Sequence, residues 1–210
     1  MPADQAAGGA KWLVFAGGGT GGHLFPALAV VDALRRQPEL IDISFFCTRR
    51  PIDRELLVEA GVEALQLTER PLSLMPWHWP RFWWRWRESV ALCKRVFGRR
   101  RPEAVVGAGG YASGPPVHAA LALGIPTFVL NPDAVPGRAN RYLGGRRGVS
   151  GIFAQWEVTR GYFPVGASVE VTGCPVRPAG RAARRADAGS VLKSFGLEPG
   201  RRTLLVTGAS

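Results

Sequence analysis

Short apolar runs alternate along this chain with longer segments of three-to-four-residue periodicity. Residues 12–16 (WLVFA) are apolar and brief, which predicts a buried strand. A glycine run follows, then a helix expected from Phe25 to Arg36, with Pro26 in its first turn, where a missing N–H costs little. The rhythm repeats with a strand at 41–47 (IDISFFC), a helix from Pro51 to Gly61 and a strand at 62–67 (VEALQL). A helix from Arg81 to Phe97, closed by Gly98, leads to a strand opening at Ala104 to Val106. Pro115 to Leu123 reads as a helix, 126–130 (PTFVL) as a fifth strand and NPDAVPGRANRYL as a further helical stretch, before short strands at 151–155 and 168–172. Strands alternating with helices predict a doubly wound, Rossmann-like parallel α/β sheet with helices on both faces. Ligands of such sheets bind beyond the carboxyl ends of the strands, and both glycine-rich turns of the chain follow strands.

The texture changes at Arg177. RPAGRAARRADAGS is rich in Arg, Ala and Gly, and Thr203 to Thr207 reads as one more strand. The expected organisation is a tail at 1–10, an α/β domain at 11–176, a linker at 177–201 and the first strand of a truncated second domain at 202–210. The tail has neither the basic start nor the apolar run of a signal peptide.

Composition narrows the class. Apolar residues make up 46% of the 210 and charged residues 20%, as in globular proteins. No run approaches the eighteen or so apolar residues of a membrane span. Three widely spaced cysteines, Cys47, Cys93 and Cys174, fit neither a disulfide framework nor a zinc site, and point to a reducing compartment. The net charge is +11, and most of the excess is local: residues 70–101 hold nine basic side chains against one acid, Glu88. Five of the seven tryptophans, Trp77, Trp79, Trp83, Trp84 and Trp86, fall in the same stretch among Arg81, Arg85 and Arg87. Trp83, Trp86, Val90, Cys93 and Phe97 keep helical spacing, so the segment reads as an amphipathic helix at an anionic membrane surface. The alternative is a helix packed on the sheet; both hold if the stripe faces inward and the other tryptophans outward. No nucleic-acid motif accompanies the charge, so nucleic acid is not the expected partner.

Gly17-Gly18-Gly19-Thr20-Gly21-Gly22-His23 lies between a strand and a helix and contains G-x-G-x-x-G. Glycines there admit positive φ and bring backbone N–H groups and a helix N-terminus to an anionic oxygen. A dinucleotide site would show an acid after the second strand; Cys47-Thr48-Arg49-Arg50 stands there, leaving an NADP-binding oxidoreductase as a weaker alternative. His23 reads either as a general base or as a packing residue at the helix start. Gly107-Ala108-Gly109-Gly110-Tyr111-Ala112-Ser113-Gly114-Pro115 forms a second turn, with Ser113 as the expected N-cap and Tyr111 as a ligand contact or a core aromatic.

Three stretches together resemble the MurG family of N-acetylglucosaminyltransferases: Gly18 to Ala29, Gly109 to Pro115, and Gly173-Cys174-Pro175-Val176-Arg177. The resemblance implies a GT-B architecture and inverting transfer of N-acetylglucosamine from UDP-GlcNAc to lipid I, giving lipid II, at the cytoplasmic face of the plasma membrane. It implies no cofactor or metal. It places Thr20, Gly21 and Gly22 at the diphosphate region, His23 as the base, Tyr111 on the acceptor side, and Asp133, Arg177 and Ser210 near the donor, with Gly110, Ser113 and Asn140 as further substrate-binding positions. Where the family usually reads His-Glu-Gln-Asn, this chain has Leu130-Asn131-Pro132-Asp133, which leaves open an altered acceptor. The 210 residues alone are expected to be inactive. A non-catalytic membrane-docking subunit of a split transferase is the second reading.

Overall fold

A computed structural model describes residues 10–68, 79–177, 188–198, 200–204 and 206. The described chain runs β1 (Lys11–Gly17), α1 (Gly21–Leu34), β2 (Ile41–Cys47), α2 (Pro51–Glu59), β3 (Glu63–Gln66), α3 (Trp79–Arg99) and β4 (Ala104–Gly109). It continues through a 3-10 turn (Tyr111–Ser113), α4 (Gly114–Ala122), β5 (Thr127–Asn131), α5 (Arg138–Gly144) and β6 (Gly151–Ala154). A second 3-10 segment (Glu157–Tyr162), β7 (Val169–Val171) and α6 (Ala188–Ser194) follow. The seven strands form one parallel sheet in the order β3-β2-β1-β4-β5-β6-β7. The order reverses between β1 and β4, the point at which sheets of this topology form a ligand crevice beyond the strands' carboxyl ends.

Both faces of the sheet are covered, so the strands are apolar on both sides. Trp12, Val14 and Ala16 of β1 face Cys93 and Phe97 of α3, Val117 and Ala120 of α4 and Leu143 of α5. Phe15, between them in sequence, faces the other way, toward Leu24, Leu28 and Val31 of α1 and Leu57 of α2. Phe97 anchors α3 to the sheet edge-on against Trp12 (centroids 6.2 Å) and Phe46 (5.8 Å).

Four local expectations change. Helix α1 starts at Gly21, four residues before Phe25, because extended Thr20 turns the chain directly into helix. Pro26 therefore lies inside α1 and His23 in its first turn. Helix α3 runs on to Arg99, with Gly98 inside it. Its buried stripe begins at half-buried Trp86, while Trp83, 55% exposed, faces outward with Trp79 and Trp84. Ser113 stands at the N-cap position of α4 but does not cap through its side chain: it has helical backbone angles, and its hydroxyl donates to Gly110 O at 2.7 Å. Of the proposed strand at 203–207, Thr203, Leu204 and Val206 lie in no strand, and Leu205 and Thr207 lie outside the described residues. The linker expectation falls largely on residues 178–187, also outside them.

The crevice depends on backbone packing that only glycine permits. Gly110 has φ +74°, and a β-carbon there would overlap the Gly18 carbonyl oxygen. A β-carbon at Gly17 would lie 2.9 Å from Gly109 O, so the two turns meet there backbone to backbone. Gly110→Ala is expected to lower stability by about 3 kcal/mol, combining left-handed strain with overpacking against backbone. Gly61→Ala, also at positive φ but with nothing within 4 Å, should cost only about 1 kcal/mol; urea denaturation of both variants measures the difference. The cysteines are free, and Cys47 and Cys93 are buried while Cys174 is exposed. Burial, with a smaller contribution from Asp53, pushes the Cys47 thiol up to about 12. Mass spectrometry after alkylation at pH 8 should find Cys174 modified and Cys47 untouched.

Candidate functional site

The first turn is gripped from beneath by a side chain the sequence did not flag. Asp53, in the first turn of α2 and fully buried, accepts hydrogen bonds from Gly19 N–H at both oxygens (3.0 Å each) and from Thr48 N–H (3.2 Å) and Oγ1 (2.5 Å). On the other side of the same residue, Arg50 Nη1 donates to Gly19 O at 2.5 Å. Gly19 is thus fixed through both its backbone groups, and its N–H is not available to a ligand, contrary to the simplest reading of the glycine pattern. Gly18 is shaped by the same carboxylate, since a β-carbon at its φ of +131° would strike Asp53. The N–H groups of Gly21 and Gly22 differ: they open α1, are half-buried and exposed, and have no hydrogen-bond partner among the described residues. They carry the positive end of a 14-residue helix.

His23 follows them in the first turn of α1. Its Nδ1 is hydrogen-bonded to Thr20 Oγ1 at 3.0 Å, the donor set by the imidazole tautomer. Its ring edge rests on the second turn: a β-carbon at Gly109 would lie 2.5 Å from Cδ2 and 3.0 Å from Nε2. Burial lowers the His23 pKa from 6.5, opposed by the carboxylates of Asp133 and Asp53. The imidazole is therefore largely neutral at pH 7 and carries a lone pair on one nitrogen. Tyr111 reaches across from the second turn, its Cε1 3.7 Å from where a Gly19 β-carbon would stand.

At the end of β5, Asn131 and Asn140 brace each other inside the fold. Both are buried; Asn140 Nδ2 donates to Leu130 O (3.2 Å) and Asn131 Oδ1 (3.0 Å), and Asn131 Nδ2 to Asp133 O (2.5 Å). Asn140, bonded to the end of β5, and Ser113, bonded within its own turn, are both buried and shape the site from behind. Asp133 is exposed, and its carboxylate is felt at His23, so it belongs to the crevice rim. Arg177 pairs with Asp32 of α1 at 2.9 Å, tying the end of the domain back to its first helix. Ser210 and Trp77 lie outside the described residues. Among the tryptophans of α3, Trp79, Trp83 and Trp84 are exposed, whereas Trp86 turns inward onto Gly114, whose β-carbon would meet its Cζ3 at 2.5 Å. Trp86 is thus a packing residue and not part of the outward aromatic face.

Sequence reasoning missed Asp53, Thr48 and Arg50. Asp53 stands 34 positions from Gly19, inside RPIDRELLVEA, one acid among three in an ordinary amphipathic helix. Its only local signal was that its helix follows the second strand of the unit.

Comparison with known proteins agrees with this geometry. Residues 13–148 match the glycosyltransferase family 28 N-terminal domain. A UDP-N-acetylglucosamine–N-acetylmuramyl-(pentapeptide) pyrophosphoryl-undecaprenol N-acetylglucosamine transferase from Nocardioides sp. is 38% identical over 210 residues, covering 94% of this chain and 53% of the relative. The like-named protein of Halalkalibacterium halodurans is 31% identical with the same coverage. The chain therefore spans about half the length of the curated relatives it matches. The crystal structure of Acinetobacter baumannii MurG superposes with a TM-score of 0.63 at 27% identity, over 77% of this chain and 45% of that one. A UDP-GlcNAc 2-epimerase from Neisseria meningitidis shares the fold at 17% identity, with a TM-score of 0.62 over 88% of this chain and 52% of its own. The chain belongs to glycosyltransferase family 28 and carries its N-terminal domain.

Proposed function

We propose that the protein transfers N-acetylglucosamine from UDP-GlcNAc to a lipid-linked N-acetylmuramyl acceptor with inversion, and that this chain supplies the acceptor side and the base. The observation that carries the reading is His23: a neutral imidazole in the first turn of α1, next in sequence to two helix-terminal amides with no partner among the described residues and packed against the second glycine turn, at the switch point where such sheets bind ligands. The acceptor hydroxyl loses its proton to His23 Nε2 as its oxygen bonds the anomeric carbon. The bond from that carbon to the departing diphosphate breaks in the same step. With Nδ1–H donating to Thr20 Oγ1, Nε2 keeps its lone pair for this role. The N–H groups of Gly21 and Gly22, reinforced by the α1 dipole, are placed to hold a phosphate oxygen. The Gly19 amide has no such part.

The exposed tryptophans of α3 with Arg81, Arg85 and Arg87 support docking on an anionic membrane. Such docking places the protein at the cytoplasmic leaflet, where a lipid-linked acceptor is held. No described helix is long and apolar enough to cross a membrane.

Assayed in the protein encoded by the complete reading frame, His23→Ala should cut kcat by about 10²–10⁴-fold, the usual contribution of a general base. Transfer of radiolabelled N-acetylglucosamine to the lipid-linked acceptor is the readout, and an unchanged kcat would remove His23 from the role. Because burial lowers the His23 pKa, the acid limb of the kcat/KM profile should fall below 6.5, with activity lost as pH drops through it. Asp133 acts in the opposite sense, so Asp133→Asn should move that limb further toward acid.

A further inference from the structure

Packing does not hold every glycine of the first turn. A β-carbon at Gly17, Gly18, Gly109 or Gly110 would lie 2.9 Å or less from a neighbouring atom. At Gly19, with φ +92°, it would meet only Tyr111 Cε1 at 3.7 Å and Thr48 Cγ2 at 4.0 Å, ordinary van der Waals separations. Hydrogen bonds hold this residue instead, and they divide between its two peptides. Asp53 takes the Gly19 N–H and so fixes the peptide before Gly19. The peptide after it, which leads into Thr20, has another anchor: Arg50 Nη1 donates to Gly19 O at 2.5 Å. Among the described residues neither Gly19 O nor Thr20 N–H has any other hydrogen-bond partner.

Arg50 is aimed by its own main chain. It stands at the N-cap position of α2 with extended backbone (φ −69°, ψ 137°). Its N–H donates to Thr48 Oγ1 at 3.1 Å, and its carbonyl oxygen accepts from Asp53 N–H at 3.1 Å. The residue is nevertheless exposed, lining a concavity of about 450 Å³ with Arg49, Arg85 and Tyr111. An exposed side chain of this kind adds little to global stability, so its loss loosens the turn and leaves the sheet intact. Downstream of the bond lies the imidazole. Thr20 meets His23 twice, through its hydroxyl at Nδ1 (3.0 Å) and through its carbonyl oxygen, which accepts from His23 N–H at 3.3 Å. Turning the Gly19–Thr20 peptide moves both contacts, and with them the ring edge that rests on Gly109.

We infer that Arg50 is a positioning residue: by holding Gly19 O it sets the Thr20 contacts that seat the His23 imidazole against the second glycine turn. The inference rests on the transferase reading for the chemical use of His23, while the seating itself is measurable without any transfer. Asp53 cannot stand in for Arg50, because it meets the N–H and not the carbonyl of Gly19.

The test is nuclear magnetic resonance of the histidine rings of this chain, with Arg50→Gln and Arg50→Lys variants and with signals assigned through His23→Gln and His118→Gln. In Arg50→Gln the Overhauser contact between His23 Hδ2 and the Gly109 α-protons, which loss of a charge alone does not move, should weaken several-fold. Burial holds the His23 pKa below 6.5, against the carboxylates of Asp133 after β5 and Asp53 on α2, so a ring that gains solvent should titrate closer to 6.5. His118 on α4, whose pKa is lowered by burial and by Arg146 and Lys94, should be unmoved. Arg50→Lys, which keeps a cationic donor, should restore the contact at least in part. A full Overhauser contact in Arg50→Gln overturns the positioning role, and so does an equal shift of His118, which reports general loosening. In the complete protein Arg50→Gln should lower kcat about tenfold or more and leave both KM values within about twofold. A displaced ring with an unchanged kcat sinks His23 as the base and leaves the seating. Absence of sugar transfer by the unsubstituted complete protein sinks the transferase reading and likewise leaves the seating.

Discussion

The buried Asp53 carboxylate is the interaction on which the geometry of the crevice rests. A carboxylate removed from water must be met by donors, and here four contacts from Gly19 and Thr48 meet it. Those contacts fix the Gly18–Gly19 backbone at positive φ. The Gly18 carbonyl oxygen then lies against Gly110, and the chain leaves Thr20 in the direction that starts α1 at Gly21. The position of His23 follows, because it lies in the first turn of that helix, where its ring edge packs on the second turn. A chain of backbone contacts thus converts one buried acid in α2 into the placement of an imidazole in α1.

The layer structure was legible in the sequence, and the fine structure of the turns was not. Every strand from β1 to β7 was found within a residue or two, since each is a short apolar run bounded by glycine, proline or charge. The exception is β4, which runs on to Gly109 inside the glycine turn. Helix starts were harder. The α1 start was hidden because glycine is a poor helix former, yet two glycines open this helix. The stripe on α3 failed at Trp83, since the helix runs past the edge of the sheet there and the periodicity continues where there is nothing to pack against. Asp53 was illegible for a different reason. Its role depends on contact between α2 and a turn 34 residues away, and nothing in the local pattern marks an acid as turned inward.

The glycines also divide between two jobs that the motif does not separate. Gly17, Gly109 and Gly110 are small because main chain or a histidine ring occupies the space of a side chain. Gly18 is small because Asp53 does. Gly21 and Gly22 leave amides without a partner among the described residues, and Gly22 has open space except for Thr20 Oγ1 at 3.8 Å. Most of the pattern G-x-G-x-x-G is here a packing requirement, and its last part is the portion suited to an anion.

A buried acid next to an anion-binding turn looks unfavourable, and the arrangement of charges explains how both coexist. The carboxylate charge is spent on donors of the turn itself, so it points away from the α1 terminus. Arg50 brings a positive charge to the opposite side of Gly19, through the carbonyl the carboxylate does not touch. Arg49 and Arg85 add to the same side. Neither the helix-terminal amides of Gly21 and Gly22 nor these guanidinium groups are among the donors that meet Asp53. The acid supplies shape and the arginines supply attraction, so removing the charge of Asp53 would disorder the turn before it relieved any repulsion.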